Sequence, residues 1–115
     1  MQVLPSLVSG GVETGTIDIA KALVDKGHRA IVVSSGGQMV SFLDDIKATH
    51  ITLPVHSKNP VVMWKNAQTL KQLIKQENIA VVHARSRAPA WSCYWATRST
   101  NTPYITTFHG TYGHQ

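Results

Sequence analysis

The stretch AIVVSSGG, residues 30–37, decides the fold class, because it joins a short β-branched apolar run to a turn of serine and glycine. A run this short, closed by turn residues, is typical of a strand buried on both faces. Segments with apolar residues at helical spacing precede and follow it. The stretch therefore predicts one strand of a chain in which strands and helices alternate.

The same alternation extends over the whole chain. Apolar runs that predict strands lie at residues 2–8, 30–33, 50–53, 79–82 and 104–108, and helical segments lie at 12–26, 38–47, 61–76 and 88–99. Short connections and right-handed crossovers favour a parallel sheet with helices on both faces. We therefore predict an α/β fold, a Rossmann-like doubly wound parallel sheet, as a single domain without an interior linker.

Composition limits the classes of protein to consider. With 115 residues, 43% of them hydrophobic, the chain can form one domain with a modest core. No stretch approaches the roughly 18 apolar residues that span a bilayer, and the first residues lack the pattern of a signal peptide. We expect a cytoplasmic protein. The single cysteine, Cys93, offers neither an internal disulfide nor the spacing of a metal site, so we expect an ordinary core or helix-face residue and no metal.

The formal net charge of +5 makes an anion a candidate partner, whether nucleic acid, phosphate or an acidic membrane surface. The lysines are scattered along the predicted helices, and no block of five like charges occurs. The predicted strands also lack the aromatic and basic pattern of an RNA-binding sheet. The distribution therefore disfavours nucleic acid as a partner.

The loop after the first predicted strand, residues 9–15, is rich in glycine. Glycines let backbone N–H groups approach an anion at the start of a helix, although the same loop also suits a plain tight turn. Thr16 and Ile17 stand where a phosphate-binding loop of NTPases needs Lys and Ser or Thr. The G-x-G-x-x-G motif of dinucleotide sites is absent too. The loop therefore argues against an NTPase and against NAD binding.

Two further loops carry polar side chains at the carboxyl ends of predicted strands, where ligands of parallel sheets bind. His83, Arg85 and Arg87 follow the fourth strand, and His109 follows the fifth. Arginines offer donors to an anion or simply a solvated face, and a histidine there can donate a hydrogen bond, move a proton or pack. We predict that Gly10, Arg85 and His109 converge on one edge of the sheet.

Taken together, these loops resemble a known family. GGVE at residues 10–13, KGH at 26–28, HARS at 83–86 and TTFHG at 106–110 are similar, in order and position, to the N-terminal domain of family-four glycosyltransferases with the GT-B fold. The resemblance covers essentially all of the chain.

The resemblance implies a retaining enzyme that transfers a sugar from a nucleotide-sugar to a glycan or lipid acceptor, without a metal, in the cleft between two domains. It places Gly10 and Gly11 beside the donor diphosphate and His109 beside the donor sugar, with His83, Arg85 and Arg87 facing the acceptor. Most nucleotide contacts of the family come from a C-terminal domain that has no counterpart in residues 1–115. We therefore expect an incomplete domain that is inactive alone, with the missing part on the same or a separate chain.

Other readings remain open. A non-catalytic module that binds anions or membrane surfaces would use the lysines and arginines with Trp64, Trp91 and Trp95, since Trp91 and Trp95 share a helix face. Such a stripe is otherwise typical of a core. Either reading allows a location at the inner face of the membrane. A flavodoxin-like regulatory domain would need acidic residues at strand ends, and Asp44 and Asp45 lie within a predicted helix instead.

Overall fold

A computed structural model describes residues 1–5 and 11–107, and it confirms the doubly wound α/β fold. The strands are β1 (Gln2–Val3), β2 (Ile31–Ser34), β3 (Thr49–Thr52), β4 (Val82–Ala84) and β5 (Tyr104–Thr106). The helices are α1 (Gly11–Asp25), α2 (Val40–Asp45), α3 (Pro60–Gln76) and α4 (Arg87–Thr100). All strand pairs are parallel, in the order β3-β2-β1-β4-β5.

The helices lie in pairs on opposite faces of the sheet. From β1 the chain first builds the sheet toward β3 and then returns to build it toward β5. Right-handed crossovers therefore place α1 and α2 on one face and α3 and α4 on the other. The core divides in the same way, because successive strand residues point to opposite faces. Val32 packs with Leu43 of α2, whereas Val33 packs with Leu70 of α3.

Local sequence sets the ends of the helices. Asn59 caps α3, since its Oδ1 accepts hydrogen bonds from the backbone N–H groups of Val61 and Val62, and Pro60 supplies the first helical residue. Asn101 ends α4 in the left-handed region, at φ 56°. The longest helix, α3, has 17 residues, and no helix within the described ranges is long and apolar enough to cross a bilayer.

The predicted position of the fourth strand was wrong by about three residues at its start. We predicted residues 79–82, whereas β4 spans Val82–Ala84. Ile79 instead closes the end of α3, because its N–H donates to the carbonyl of Ile74 at 3.0 Å. The parallel register begins only where Gln2 pairs with His83 and Val82 pairs with Tyr104. His83 therefore lies within a strand and not, as predicted, in the loop after it.

Smaller corrections concern neighbouring boundaries. The second helix is shorter than the predicted 38–47, because Gly36 and Gly37 adopt positive φ before it and Lys47 does so after it. Strand β1 is described only as Gln2–Val3, and residues 6–8 of its predicted extent lie outside the described residues, as does Phe108 of the fifth strand. Cys93 is a core residue as predicted, and burial raises the pKa of its thiol to about 12.

Candidate functional site

The sheet reverses its direction of growth between β1 and β4, at its centre. Helix α1 leaves β1 on one face and α4 leaves β4 on the other, so a crevice opens at the carboxyl ends of these two strands. Ligands of open parallel sheets bind at such a switch point. The segments that follow β1 and β4 therefore border the candidate site.

Arg85, directly after β4, lies buried at this switch point with 6% of its surface exposed. Its Nη1 donates to Oε1 of Gln2 in β1 at 3.2 Å. The Nε2 of Gln2 in turn donates to the carbonyl of Thr16 in α1 at 3.1 Å. These hydrogen bonds tie β4 through β1 to the first turns of α1. The guanidinium is therefore held beneath α1 and does not form the solvated face that sequence alone allowed.

Gly15 makes room for this guanidinium. A Cβ at position 15 would lie 3.2 Å from Nη2 of Arg85, a tight contact that would require the guanidinium to shift by a few tenths of an ångström. Gly15 was assigned to the glycine loop, but it lies within α1, which begins at Gly11. Its absent side chain thus admits the Arg85 side chain to the underside of the helix.

The positive charge of Arg85 has no anionic partner among the described residues. Within residues 1–5 and 11–107 the only ion pair joins Arg29 to Glu77, and Nε of Arg85 has no hydrogen-bond acceptor there. Burial lowers the pKa of Arg85, yet a guanidinium stays protonated at neutral pH. Burying an unpaired cation costs free energy that a bound anion would recover. The start of α1 would add its own favourable dipole for that anion.

His83 points to the same face of the sheet as Gln2 and Arg85, since alternate strand residues share a face. Its Nε2 lies 2.9 Å from Oγ1 of Thr107, just past the end of β5. Ile105, its neighbour in β5, is 52% exposed on this face. His83 is thus a half-buried, hydrogen-bonded side chain at the edge of an open part of the sheet.

Four further residues were predicted for the site: Gly10, Gly11, Arg87 and His109. Gly11 is the first residue of α1 and Arg87 the first of α4, so both helices begin at the edge that carries Arg85. Gly10 and His109 lie outside the described residues. The predicted convergence of Gly10, Arg85 and His109 therefore stays a prediction. The described residues contain no group of three His, Cys, Asp or Glu side chains that could hold a metal ion.

A second polar cluster at this edge was missed from sequence. Ser34, at the end of β2, has its Oγ 2.6 Å from Nε2 of His50 in β3 and accepts a hydrogen bond from the N–H of Gly36 at 3.0 Å. Ser35 donates to the carbonyl of Pro5, after β1. The cluster fixes the loop after β2 against β1 and β3. The signal in the sequence is the pair of serines, Ser34 and Ser35, at the end of a buried strand.

Burial lowers the pKa of His50 below its usual value, an effect that Asp44 partly opposes. The unfolded chain therefore binds a proton at a pH where folded His50 does not, so folded stability falls as pH drops below about 6.5. When the pH is lowered from about 7 to about 5, we expect the melting temperature of the His50→Gln variant to fall less than that of the parent. Following the His50 ring by NMR gives a direct check. A titration midpoint at or above about 6.5 would contradict the assignment.

Comparison with known proteins agrees with this geometry. The model of Glycosyltransferase Family 4 matches residues 9–115. A glycosyltransferase from Rickettsia africae is 49% identical over 96% of the chain, with a TM-score of 0.84. The chain spans about 30% of the length of that enzyme. No curated protein sequence matches at a significant level.

Two more distant structures share the fold alone. Acinetobacter baumannii MurG is 15% identical, with a TM-score of 0.72 over 93% of this chain and 34% of its own. The C-terminal domain of a Pyrococcus furiosus hydrogenase is 13% identical, with a TM-score of 0.64 over 92% of this chain and 89% of its own. The fold therefore does not by itself decide the chemistry.

Proposed function

Because the chain belongs to glycosyltransferase family 4, we propose that it forms the acceptor-side, N-terminal half of a two-domain GT-B enzyme. The complete enzyme moves a hexose from a nucleotide-sugar to a glycan or lipid-linked acceptor of the cell envelope, with retention at the anomeric carbon. A donor-binding domain, on the same chain or a separate one, completes the cleft. Identity of 49% to the Rickettsia africae glycosyltransferase supports the coarse assignment.

The observation that carries the proposal is the buried charge of Arg85 at the switch point, which has no anionic partner among residues 1–5 and 11–107. A nucleotide-sugar brings a diphosphate, which is an anion suited to that charge and to the start of α1. We assign Gly10 and Gly11 to the diphosphate, as the resemblance implies. We also move Arg85 from the acceptor side to the diphosphate side, because it lies beneath α1. His83 and Arg87 keep the proposed acceptor side.

Transfer breaks the bond between the anomeric carbon and the diphosphate oxygen, so negative charge grows on the departing group. Groups already oriented toward that charge lower the barrier without reorganising. In this proposal Arg85 and the N-terminus of α1 supply part of that stabilisation, and His109 contacts the reacting sugar. In this proposal, hydrogen-bond donors of the protein stabilise the departing diphosphate without a metal. The base and ribose contacts lie in the other domain, so the chain alone should transfer no sugar.

The test is a chimera in which residues 1–115 replace the matching N-terminal part of the Rickettsia africae glycosyltransferase. We expect the chimera to consume one donor from a panel of nucleotide-sugars, whereas the isolated chain consumes none. NMR of the first product formed should show the anomeric configuration of the donor. The intact Rickettsia africae enzyme is the positive control.

Two outcomes would count against the proposal. Turnover by the isolated chain at the rate of the chimera would show that no second domain is needed. A folded but silent chimera, beside an active Rickettsia africae enzyme, would favour the alternative of a non-catalytic module that binds anions or membrane surfaces. A product of inverted configuration would agree with the transferase assignment but would contradict the retaining mechanism.

A further inference from the structure

Three tryptophan side chains protrude into solvent from the face formed by α3 and α4. Trp64, Trp91 and Trp95 are 60%, 61% and 59% exposed, so they are not the core residues that such spacing usually indicates. They line one apolar groove of roughly 340 Å³ between the two helices, floored by Met63 and Ala67. We call this groove and its three rings the tryptophan surface. Three half-exposed indoles together are a costly arrangement in water unless something covers them.

Basic residues continue the same helical stripes. On α3, Lys71 and Lys75 follow Trp64 at i+7 and i+11, with the neutral Gln68 between them at i+4. On α4, Arg98 follows Trp91 at i+7, with Trp95 between them. Each helix therefore presents tryptophan near its start and cations toward its end, along one exposed side.

The charged residues within the four helices are divided between the two faces of the sheet. Helices α3 and α4 carry three lysines and two arginines and no acidic residue. Helices α1 and α2 carry five acidic residues and one lysine. Helices α3 and α4 are therefore basic, and Glu77, at the end of α3, is paired with Arg29. A partner of the tryptophan surface must tolerate or attract this positive charge.

We propose that the tryptophan surface seats the domain on an anionic phospholipid bilayer. Indole rings prefer the headgroup layer, where the ring is apolar and the N–H stays hydrated, and lysines and arginines beside them attract acidic headgroups. Trp64 and Trp91 are each the fifth residue of a helix that begins at the carboxyl edge of the sheet. Seated in this way, the domain holds its crevice next to the bilayer.

This proposal deepens the proposed function, since a lipid-linked acceptor would then reach the crevice from the same membrane. Other occupants fit less well. A second copy of the chain would bring the basic helices α3 and α4 against the same basic helices of the first copy, which like charges oppose. A nucleic acid would match the charge, but it leaves unexplained an apolar groove between the three rings.

Vesicle binding by the 115-residue chain tests the proposal. We expect binding to phosphatidylcholine vesicles that contain phosphatidylglycerol and none to phosphatidylcholine alone, with affinity falling as salt rises. Tryptophan emission should shift to the blue and be quenched by lipids brominated near the headgroup. Lys71→Gln with Lys75→Gln should weaken binding about fivefold per lysine. The triple change Trp64→Ala, Trp91→Ala, Trp95→Ala should weaken it about tenfold or more.

The matched control is Phe42→Ala with Lys21→Gln, which removes an exposed aromatic ring and a lysine from the opposite face. It should bind like the parent. Absent binding to anionic vesicles, equal binding to neutral ones, or equal loss in the control would each overturn the proposal. So would a dimer that the tryptophan changes dissociate, or RNA binding that survives them. None of these readouts needs catalysis, so their failure would leave the glycosyltransferase proposal untouched.

Discussion

Replacing His109 by alanine in the completed two-domain protein is expected to lower turnover by roughly 30- to 1,000-fold while leaving nucleotide affinity nearly unchanged. This fall corresponds to about 2–4 kcal/mol of lost transition-state stabilisation, the amount that a hydrogen-bond donor acting mainly in the transition state supplies. The motivation is position. Thr107 lies at the carboxyl edge, where its N–H donates to the carbonyl of Ala84 at 3.0 Å, and His109 follows two residues later.

The measurement combines single-turnover rate, nucleotide affinity and melting temperature on the same variant. His28→Ala is the matched control, because His28 is an exposed histidine at the opposite edge of the sheet, after the end of α1. A packing role predicts a different pattern for His109→Ala. A depressed melting temperature with normal turnover would remove His109 from the proposed site.

Replacing Arg85 by methionine is expected to separate stability from function. Methionine fills similar space without a buried charge, so it removes the cost of burying a cation that has no anionic partner among the described residues. Against this gain, the buried Oε1 of Gln2 loses its donor, which costs about 1–3 kcal/mol. The melting temperature of the chain should therefore change little or rise. Affinity of the completed protein for its nucleotide-sugar should fall about 10- to 100-fold, the value of hydrogen bonds to a charged group.

Arg29→Met serves as its control. Arg29 forms an exposed ion pair with Glu77 at 2.6 Å, so its loss should cost no more than about 1 kcal/mol and leave donor affinity intact. A large fall in melting temperature for Arg85→Met, with donor affinity preserved, would make Arg85 a structural residue. Arg85→Lys then distinguishes charge from shape, since lysine keeps the charge but not the planar fork.

The fold was predictable from sequence because each buried strand and each helix is marked locally, as AIVVSSGG and the Asn59-Pro60 start of α3 show. The start of β4 was not predictable from sequence, because Ile79 and Val82 are both apolar and β-branched. Only the pairing of β4 with Gln2 shows that the strand begins near Val82. Local pattern gives the presence of a strand. Its ends follow from partners that lie far away in the chain.

The same limit applies to the candidate site. Position after a strand placed Arg85 at the correct edge, but its burial depends on Gln2 and Gly15, which lie some seventy or more residues away in sequence. For the tryptophans, helical spacing predicted that Trp91 and Trp95 share a face. Spacing alone does not say whether that face meets the sheet or the solvent, and the structure places it in solvent.

Neighbouring residues at the central strand belong to the two different cores described above, as neighbouring residues of β2 do. Val3 packs in the core under α3 and α4, and Leu4, the next residue, packs in the core under α1 and α2. Strand β1 also pairs with β2 on one side and β4 on the other. The amides of β1 should therefore be among the slowest to exchange with solvent. A substitution that destabilises one core should also lower the protection of amides in the other. Through this strand, two small cores can unfold as one cooperative unit.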